Sequence, residues 1–152
     1  MGELLQPWHL MVLLVAGCFF FLLPAVFYVL TLTRALNKCS STSKTLEPGM
    51  LWLLLVPFVN LVWHFFVVLG IAKSLNNEFR LRNMSLADPM PGQSIGIAMC
   101  ICGACSIIPL LGVVAGLAFL VLWIVYWAKI AEFSRLLDQT SMANATPNTI
   151  IG

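Results

Sequence analysis

The stretch "PMPGQSIGIAMCICGACSIIPLLGVVAGLAFLVLWIVYWA", residues 89–128, contains no charged side chain. As one α-helix it would be about 60 Å long, which is roughly twice the hydrocarbon thickness of a bilayer. It must therefore fold back on itself, and the segment Pro109-Leu110-Leu111-Gly112 contains the residues that favour a turn. We predict a hairpin with helices near residues 92–108 and 111–130, the first short enough for a tilted or re-entrant segment.

Two further runs, residues 4–33 and 48–72, also lack Asp, Glu, Lys and Arg. Each is long enough for one membrane-spanning helix, and we place these helices near residues 8–33 and 49–72. The sequence thus predicts an all-α membrane protein whose four transmembrane helices form a single bundle over residues 1–138.

The composition excludes a soluble domain. With 61% hydrophobic and only 9% charged residues in 152, a globule of this size has no means of burying its apolar surface. The net charge of +2 is spread without a polybasic run, so we expect no nucleic-acid partner. The sequence contains no nucleotide-binding loop, zinc-protease helix or intramembrane-protease motif, and its start lacks the basic region of a signal peptide. We expect no enzyme and no cleaved signal peptide.

Amphipathic extensions are predicted after the second and fourth helices. Residues 73–82 place Glu78 and Arg82 at the favourable i,i+4 spacing, and residues 129–138 alternate in charge along one face. Both extensions suit the membrane interface. The small, uncharged residues 139–152 predict a disordered tail.

An internal repeat links the two halves of the chain. The segment "VPFVNLVWH" from Val56 aligns with "IPLLGVVAG" from Ile108, and an Ala-Lys pair follows each copy. This pattern indicates two duplicated helix pairs, in which helices 2 and 4 run in the same direction.

Asn60 and His64 lie one turn apart on the second helix and therefore share a face. One interpretation is a ligand, proton or ion site between helices, and the other is an interhelical hydrogen bond. The repeat aligns this pair with Gly112 and Gly116, a Gly-x-x-x-Gly face. Because small residues leave room for larger polar ones, we predict that helices 2 and 4 pack through these four residues.

The cysteines favour packing over metal binding. Cys100, Cys102 and Cys105 include a C-x-x-C pattern, but no fourth ligand accompanies them and a thiolate in hydrocarbon is costly. A bis-histidine haem is not expected either, because His9 lies near the membrane surface whereas His64 lies nearer the middle. We expect no metal and no cofactor.

Orientation follows from the basic residues. With four spans, the side that holds the termini and the 73–94 loop has five Lys and Arg residues against three on the other side. Cytoplasmic loops are enriched in these residues, so both termini are expected in the cytoplasm. The basic residues that flank the first helix all follow it and argue for the opposite orientation. Five aromatic residues near predicted helix ends are typical of interfacial anchors: Trp8, Trp52, Trp123, Tyr126 and Trp127.

The Pro-Gly, Trp, Pro-x-x-Asn and Tyr-Trp-x-Lys elements within residues 47–79 and 107–137 give the chain a family resemblance. It resembles a group of small bacterial four-span membrane proteins of unknown function, some of which follow a GYF-like soluble domain. The resemblance implies an inner-membrane location and an architecture, and it supplies no activity. It also supports a cytoplasmic N-terminus.

The leading functional hypothesis is a non-catalytic accessory, scaffold or interaction subunit of a membrane complex. Its partners would be the lipid bilayer and other membrane subunits, or further copies of the same chain. The alternative is a small transporter or channel with a polar site at Asn60 and His64. A haem or metal subunit is a third reading.

Overall fold

The computed structural model describes residues 6–84, 86 and 88–145, and every regular element within them is helical. The predicted all-α class is therefore confirmed. The elements follow one another as α1 (Pro7–Asn37), a 3-10 helix (Pro48–Leu55), α2 (Pro57–Leu81), α3 (Gln93–Cys105) and α4 (Gly112–Ala145).

The second predicted span, residues 49–72, is divided in two. Pro57 begins α2, because proline has no N–H to donate and fits the first position of a helix. A residue that precedes proline avoids helical dihedral angles, and Val56 is extended, with φ −88° and ψ 110°. Pro48–Leu55 consequently form a separate 3-10 helix, and α2 continues to Leu81.

The hairpin predicted within residues 89–128 is present, with α3 ending at Cys105 and α4 beginning at Gly112. A Cβ atom at Gly112 would lie 2.7 Å from the carbonyl oxygen of Ser106. Glycine is therefore required for the chain to turn this tightly.

The end of α4 is longer than the sequence predicts. Arg82 Nη1 donates hydrogen bonds to the Leu137 carbonyl and to Ser141 Oγ, both at 2.8 Å. These contacts hold the last turns of α4 against the end of α2. The prediction of a disordered tail is wrong for residues 139–145, which are helical, and residues 146–152 lie outside the described residues.

Helices α1, α2 and α4 run in the same direction. Contacts with α2 advance along it as the chain runs through α1 and just past its end, from Tyr28 with His64 to Ser40 with Glu78. Contacts between α1 and α4 advance in the same way, from Thr31 with Trp127 to Lys38 with Ser134. The carboxyl ends of all three helices therefore lie at one end of the bundle, and the start of α1 lies at the other.

The two short helices run the opposite way. The segment that leads into α2 packs back along it, through Ser43 with Asn77, Thr45 with Gly70 and Met50 with Trp63. Along α3, Gly96 lies against Val68 and Tyr126, and Gly103 lies against Phe119. Each of α2 and α4 thus forms a hairpin with the short helix before it. Val56 and Ile108, where the predicted repeats begin, lie at the two hairpin turns; the duplication itself stays a prediction.

The buried core lies toward the shared carboxyl ends of α1, α2 and α4. Its fully buried side chains include Val29, Leu32, Leu36, Val67, Ile71, Leu75, Phe79, Ile130 and Leu137. The amino-terminal half of α1 is different, since Met11 is 71% exposed and Phe20 is 78% exposed. One end of the bundle is tightly packed, and α1 extends from it as a largely uncovered helix.

All eight Lys and Arg residues of the chain lie at or near the end where α1, α2 and α4 finish, which we call the basic end: Arg34, Lys38, Lys44, Lys73, Arg80, Arg82, Lys129 and Arg135. Three helical stretches are long and apolar enough to cross a bilayer, namely Trp8–Asn37, Phe58–Leu81 and Gly112–Met142. The 13 residues of α3 are apolar as well but reach only about 20 Å. These features are consistent with a membrane protein.

Candidate functional site

His64 is joined to α1 by a hydrogen bond. Its Nε2 lies 3.0 Å from the hydroxyl oxygen of Tyr28, and both side chains are buried. With the imidazole proton on Nδ1, the Tyr28 hydroxyl donates to Nε2. The predicted interhelical hydrogen bond therefore exists, but it joins α2 to α1. The sequence did offer a signal for Tyr28, because a tyrosine hydroxyl within a long uncharged run needs a partner.

An aromatic cluster surrounds the Tyr28 ring. The ring centroids of Trp123, Tyr126 and Trp127 lie 5.4 to 6.3 Å from that of Tyr28, and Trp127 Nε1 donates a 2.8 Å hydrogen bond to Thr31 Oγ1. Tyr126 is 1% exposed. These three residues therefore pack α4 against α1, and their interpretation as interfacial anchors stays a prediction.

A cavity of about 690 Å³ lies between α1, the 3-10 helix, α2 and α4. The walls are mostly apolar and include Leu22 of α1, Leu54 of the 3-10 helix and Leu120 of α4. The polar side chains in its wall are Tyr28, Asn60 and His64, and Trp123 adds an indole N–H. The residues of the candidate site thus lie at the wall of an apolar chamber.

Asn60 has no hydrogen-bonding partner for its side-chain oxygen. Oδ1 is buried, and no described residue donates to it. Asn60 and His64 also line a second cavity, of about 160 Å³, whose other walls include Cys100 and Gly103 of α3 and Phe119 of α4. Asn60 and His64 therefore line two cavities. His64 has a hydrogen-bonding partner in Tyr28, whereas the side-chain oxygen of Asn60 has none among the described residues.

Gly112 and Gly116 do not pack against Asn60 and His64. A Cβ atom at Gly116 would have no neighbour within 4 Å, and the nearest atom to one at Gly112 belongs to Ser106 in the preceding turn. The predicted packing through these four residues is wrong, because α3 inserts beside α4 there.

Direct contact between α2 and α4 occurs instead at the basic end. The Phe79 and Phe133 rings meet edge to face with centroids 6.1 Å apart, and Arg82 reaches Leu137. The role of Asn60 and His64 as a ligand site stays a prediction.

The described cysteines form no disulfide. Cys39 and Cys100 are buried, whereas Cys102 and Cys105 are partly exposed, and all four are free thiols. Within the described ranges, no three His, Cys, Asp or Glu side chains come together as a group that would hold a metal ion. Burial, and secondarily the Glu78 carboxylate, raises the pKa of the Cys39 thiol to about 11.

An ionic network closes the basic end. Glu78 accepts hydrogen bonds from Ser40 N at 2.8 Å and from Arg82 Nε at 2.9 Å, which confirms the predicted i,i+4 pair. Lys38 Nζ lies 2.6 Å from Asp138 and also bonds Ser134 Oγ. These bonds connect the ends of α1, α2 and α4, so the two predicted extensions serve to join helices.

Comparison with known proteins gives no relative: a scan against protein-family models, a search of curated proteins and a search of solved structures each find no match to this chain.

Proposed function

We propose that this chain is a non-enzymatic membrane protein that binds a largely apolar molecule of the bilayer, one that carries a hydrogen-bond donor, in the cavity beside Asn60 and His64. The observation that carries this proposal is the unpartnered Asn60 Oδ1 in the wall of a 690 Å³ apolar cavity. A buried acceptor without a donor costs about 1–3 kcal/mol, and a ligand that donates a hydrogen bond to Asn60 Oδ1 would remove that cost.

The cavity has the dimensions and walls of a small-molecule site. Such sites measure about 300–1,000 Å³ and combine apolar walls with a few polar groups that orient the ligand. Asn60 and His64 lie within the uncharged run 48–72, so the cavity opens toward lipid tails. The ligand is accordingly taken from the membrane.

Native mass spectrometry of the protein, extracted briefly in mild detergent, tests this function. We expect a retained small molecule. The Leu120→Trp variant fills the cavity and should therefore lose the bound molecule. The Leu117→Trp variant adds a similar bulk at a side chain that is 62% exposed, and it should retain the bound molecule. A preparation that carries no bound molecule and takes up no added lipid would refute the proposal.

The transporter or channel alternative uses the same cavity. It differs in requiring that the molecule leave on the other side of the membrane, past the densely packed basic end. A flux assay in liposomes separates the two: movement that Leu120→Trp abolishes would favour transport, and retention without movement favours binding.

The topology we propose has three crossing helices, α1, α2 and α4, and the chain returns across the bilayer before α2 and before α4 through the segments that contain the 3-10 helix and α3. Support comes from the common direction of the three long helices, since each needs a return of the chain before the next, and from the contacts of the 43–50 segment along α2. Because α1 and α4 are parallel, their crossing puts the two termini on opposite sides. This proposal replaces the four-span expectation with both termini in the cytoplasm.

The basic end would face the cytoplasm. Lys and Arg are concentrated on the cytoplasmic side of membrane proteins, and all eight of these residues lie at this end. The N-terminus is then outside. The expected bacterial inner-membrane location and the family resemblance stay proposals on the motifs given above.

An impermeant maleimide tests this orientation in cells that express a variant without native cysteines. Gln6→Cys lies before α1 and should be labelled in intact cells. Ser41→Cys, an exposed position at the basic end, should be labelled only after permeabilisation. The reverse pattern would overturn the assignment, and labelling of both in intact cells would contradict the parallel crossing of α1 and α4.

A second candidate is the accessory subunit, and the uncovered half of α1 favours it. Phe19 and Phe20 are 66% and 78% exposed, and neither lines the cavity. Purification in mild detergent should then recover a stoichiometric partner or a defined oligomer, and Phe20→Ala should weaken that association. A stable monomer without partners would contradict this candidate.

A further inference from the structure

We infer that the molecule held in the cavity is an uncharged amphiphile, whose chain fills the apolar space and whose hydroxyl or amide group bonds the Asn60 side chain. This inference rests on the proposed function and names the chemical class of its ligand.

The cavity walls argue against a charged head group. The described residues that line it include no Asp, Glu, Lys or Arg. An ion placed there would lose its hydration without gaining a counter-charge, which is far more costly than burying a neutral polar group. A phosphate or carboxylate head therefore does not fit beside Asn60.

The hydrogen-bonding groups argue against a pure hydrocarbon. Tyr28 and His64 bond one another at 3.0 Å, so their pair does not depend on a ligand. Asn60 Oδ1 lacks a donor. An alkane would leave this acceptor unsatisfied, whereas a group with an O–H or N–H completes it.

The depth of Asn60 fits a head group that comes from the leaflet remote from the basic end. Asn60 precedes Lys73 by 13 residues (73 − 60) on the same helix, which is about 20 Å. In a hydrocarbon layer about 30 Å thick, Asn60 lies roughly two thirds of the way across. Leu22 of α1 and Leu120 of α4, which flank the cavity, are themselves partly exposed, so an amphiphile has a sideways path from that leaflet.

Quenching of tryptophan fluorescence by brominated probes tests the class, because Trp123 lines the cavity. Three probes of equal chain length are compared in detergent: a long-chain alcohol, the alkane and the carboxylate. We expect the alcohol to bind at least about tenfold more tightly than either of the others. The saturable part of the quenching should fall in Trp123→Phe, whereas the quenching of exposed tryptophans such as Trp52 should remain.

The Asn60→Leu variant should bring the alcohol down to the affinity of the alkane, and Asn37→Leu, the same change at an exposed position at the end of α1, should leave the preference intact. Equal binding of all three probes, or tightest binding of the carboxylate, would overturn the chemical class while leaving a binding cavity. Failure of every probe to quench Trp123 would contradict the proposed function itself. The three probes are compared on the unmodified protein, so this part of the test does not depend on whether a variant folds.

Discussion

Asn60 and His64 differ in a way that only their surroundings reveal. His64 is satisfied by Tyr28, so its polarity is accounted for by the contact between α1 and α2. Asn60 faces the cavity with its Oδ1 unpartnered. Their spacing correctly predicts one shared face, but a shared face does not make a shared role. Tyr28 lies 36 residues from His64 in the chain, so no local pattern could pair them.

The Tyr28–His64 hydrogen bond should contribute modestly to stability. We expect a double-mutant cycle of Tyr28→Phe and His64→Leu to give a coupling of about 0.6 kcal/mol, and at most about 1.7 kcal/mol, as found for other hydrogen bonds within membranes. Reversible unfolding in mixed detergent micelles measures it. A coupling near zero would show that the two side chains are neighbours without a bond.

Gly96 is the glycine that packing requires. A Cβ atom there would lie 2.9 Å from Tyr126 Cε2 and would also overlap the Val68 side chain. Gly96→Ala should therefore cost about 1–3 kcal/mol of stability.

Gly116→Ala is the matched control, because it adds the same methyl group to open space within α4. It should be neutral or stabilising by up to about 1 kcal/mol, since alanine favours a helix over glycine. Thermal unfolding of both variants decides between these outcomes, and a larger loss at Gly116 would restore the packing role that its Gly-x-x-x-Gly pattern suggests.

Cys39 should be unreactive in the folded protein. It is 3% exposed, and its pKa is raised to about 11, so below that pH the thiol stays protonated. Maleimide at neutral pH should modify Ser41→Cys within minutes and leave Cys39 unmodified until the protein is unfolded, as read by peptide mass. Rapid modification of native Cys39 would mean that the basic end opens.

At the scale of elements, the ends of the helices are joined by charge. Glu78 is nearly buried, with a side chain 5% exposed, and it accepts bonds from Ser40 of the loop after α1 and from Arg82. Glu78→Gln should cost about 1.5–3 kcal/mol, because hydrogen bonds to a charged group are lost and Arg82 keeps no counter-charge in this pair. The matched change is Glu132→Gln, which breaks an exposed pair with Lys129 and should cost less than about 0.5 kcal/mol.

Chemical denaturation of the two variants provides the comparison. Equal losses would show that burial does not set the strength of these pairs. A loss confined to Glu78→Gln would confirm that the basic end holds the three long helices together.

The helical elements were largely predictable, and their directions were not. Uncharged runs reveal apolar helices because charge is expensive in hydrocarbon, and Pro109 with Gly112 marks a turn by local chemistry. The same reasoning treats Pro57 as an interior residue of one span, although proline is equally suited to begin a helix. Whether Pro57 lies inside a helix or begins one decides whether α2 runs antiparallel or parallel to α1. That direction in turn decides whether the two termini lie on the same side of the membrane or on opposite sides.

At the scale of the whole molecule, the concentration of Lys and Arg at one end can be inferred from the sequence once the directions of the helices are known. The eight basic residues fall on two sides when four spans are assumed and on one side when α1, α2 and α4 are parallel. The cavity was not predictable, because it arises where four elements separate and none of them encodes it alone. The visible signals were the polar side chains of Asn60 and His64 within an uncharged run.

The lengths of the three long helices bear on the lipid around them. We measure each long helix from its first residue to its first basic residue. This length is about 24 Å for α2 (Pro57 to Lys73), about 26 Å for α4 (Gly112 to Lys129) and about 41 Å for α1 (Pro7 to Arg34). Against a hydrocarbon thickness of about 30 Å, two helices are too short and one is too long.

Such a mismatch is relieved by tilting the long helix and by local thinning of the bilayer over the short ones. The protein should therefore unfold at the highest temperature in bilayers of short-chain lipids, and its unfolding temperature should fall as the acyl chains lengthen. An unfolding temperature that does not depend on chain length would contradict this prediction.

Local thinning in the leaflet remote from the basic end would also bring lipid head groups closer to the level of Asn60. It would make the protein sort toward thinner membranes.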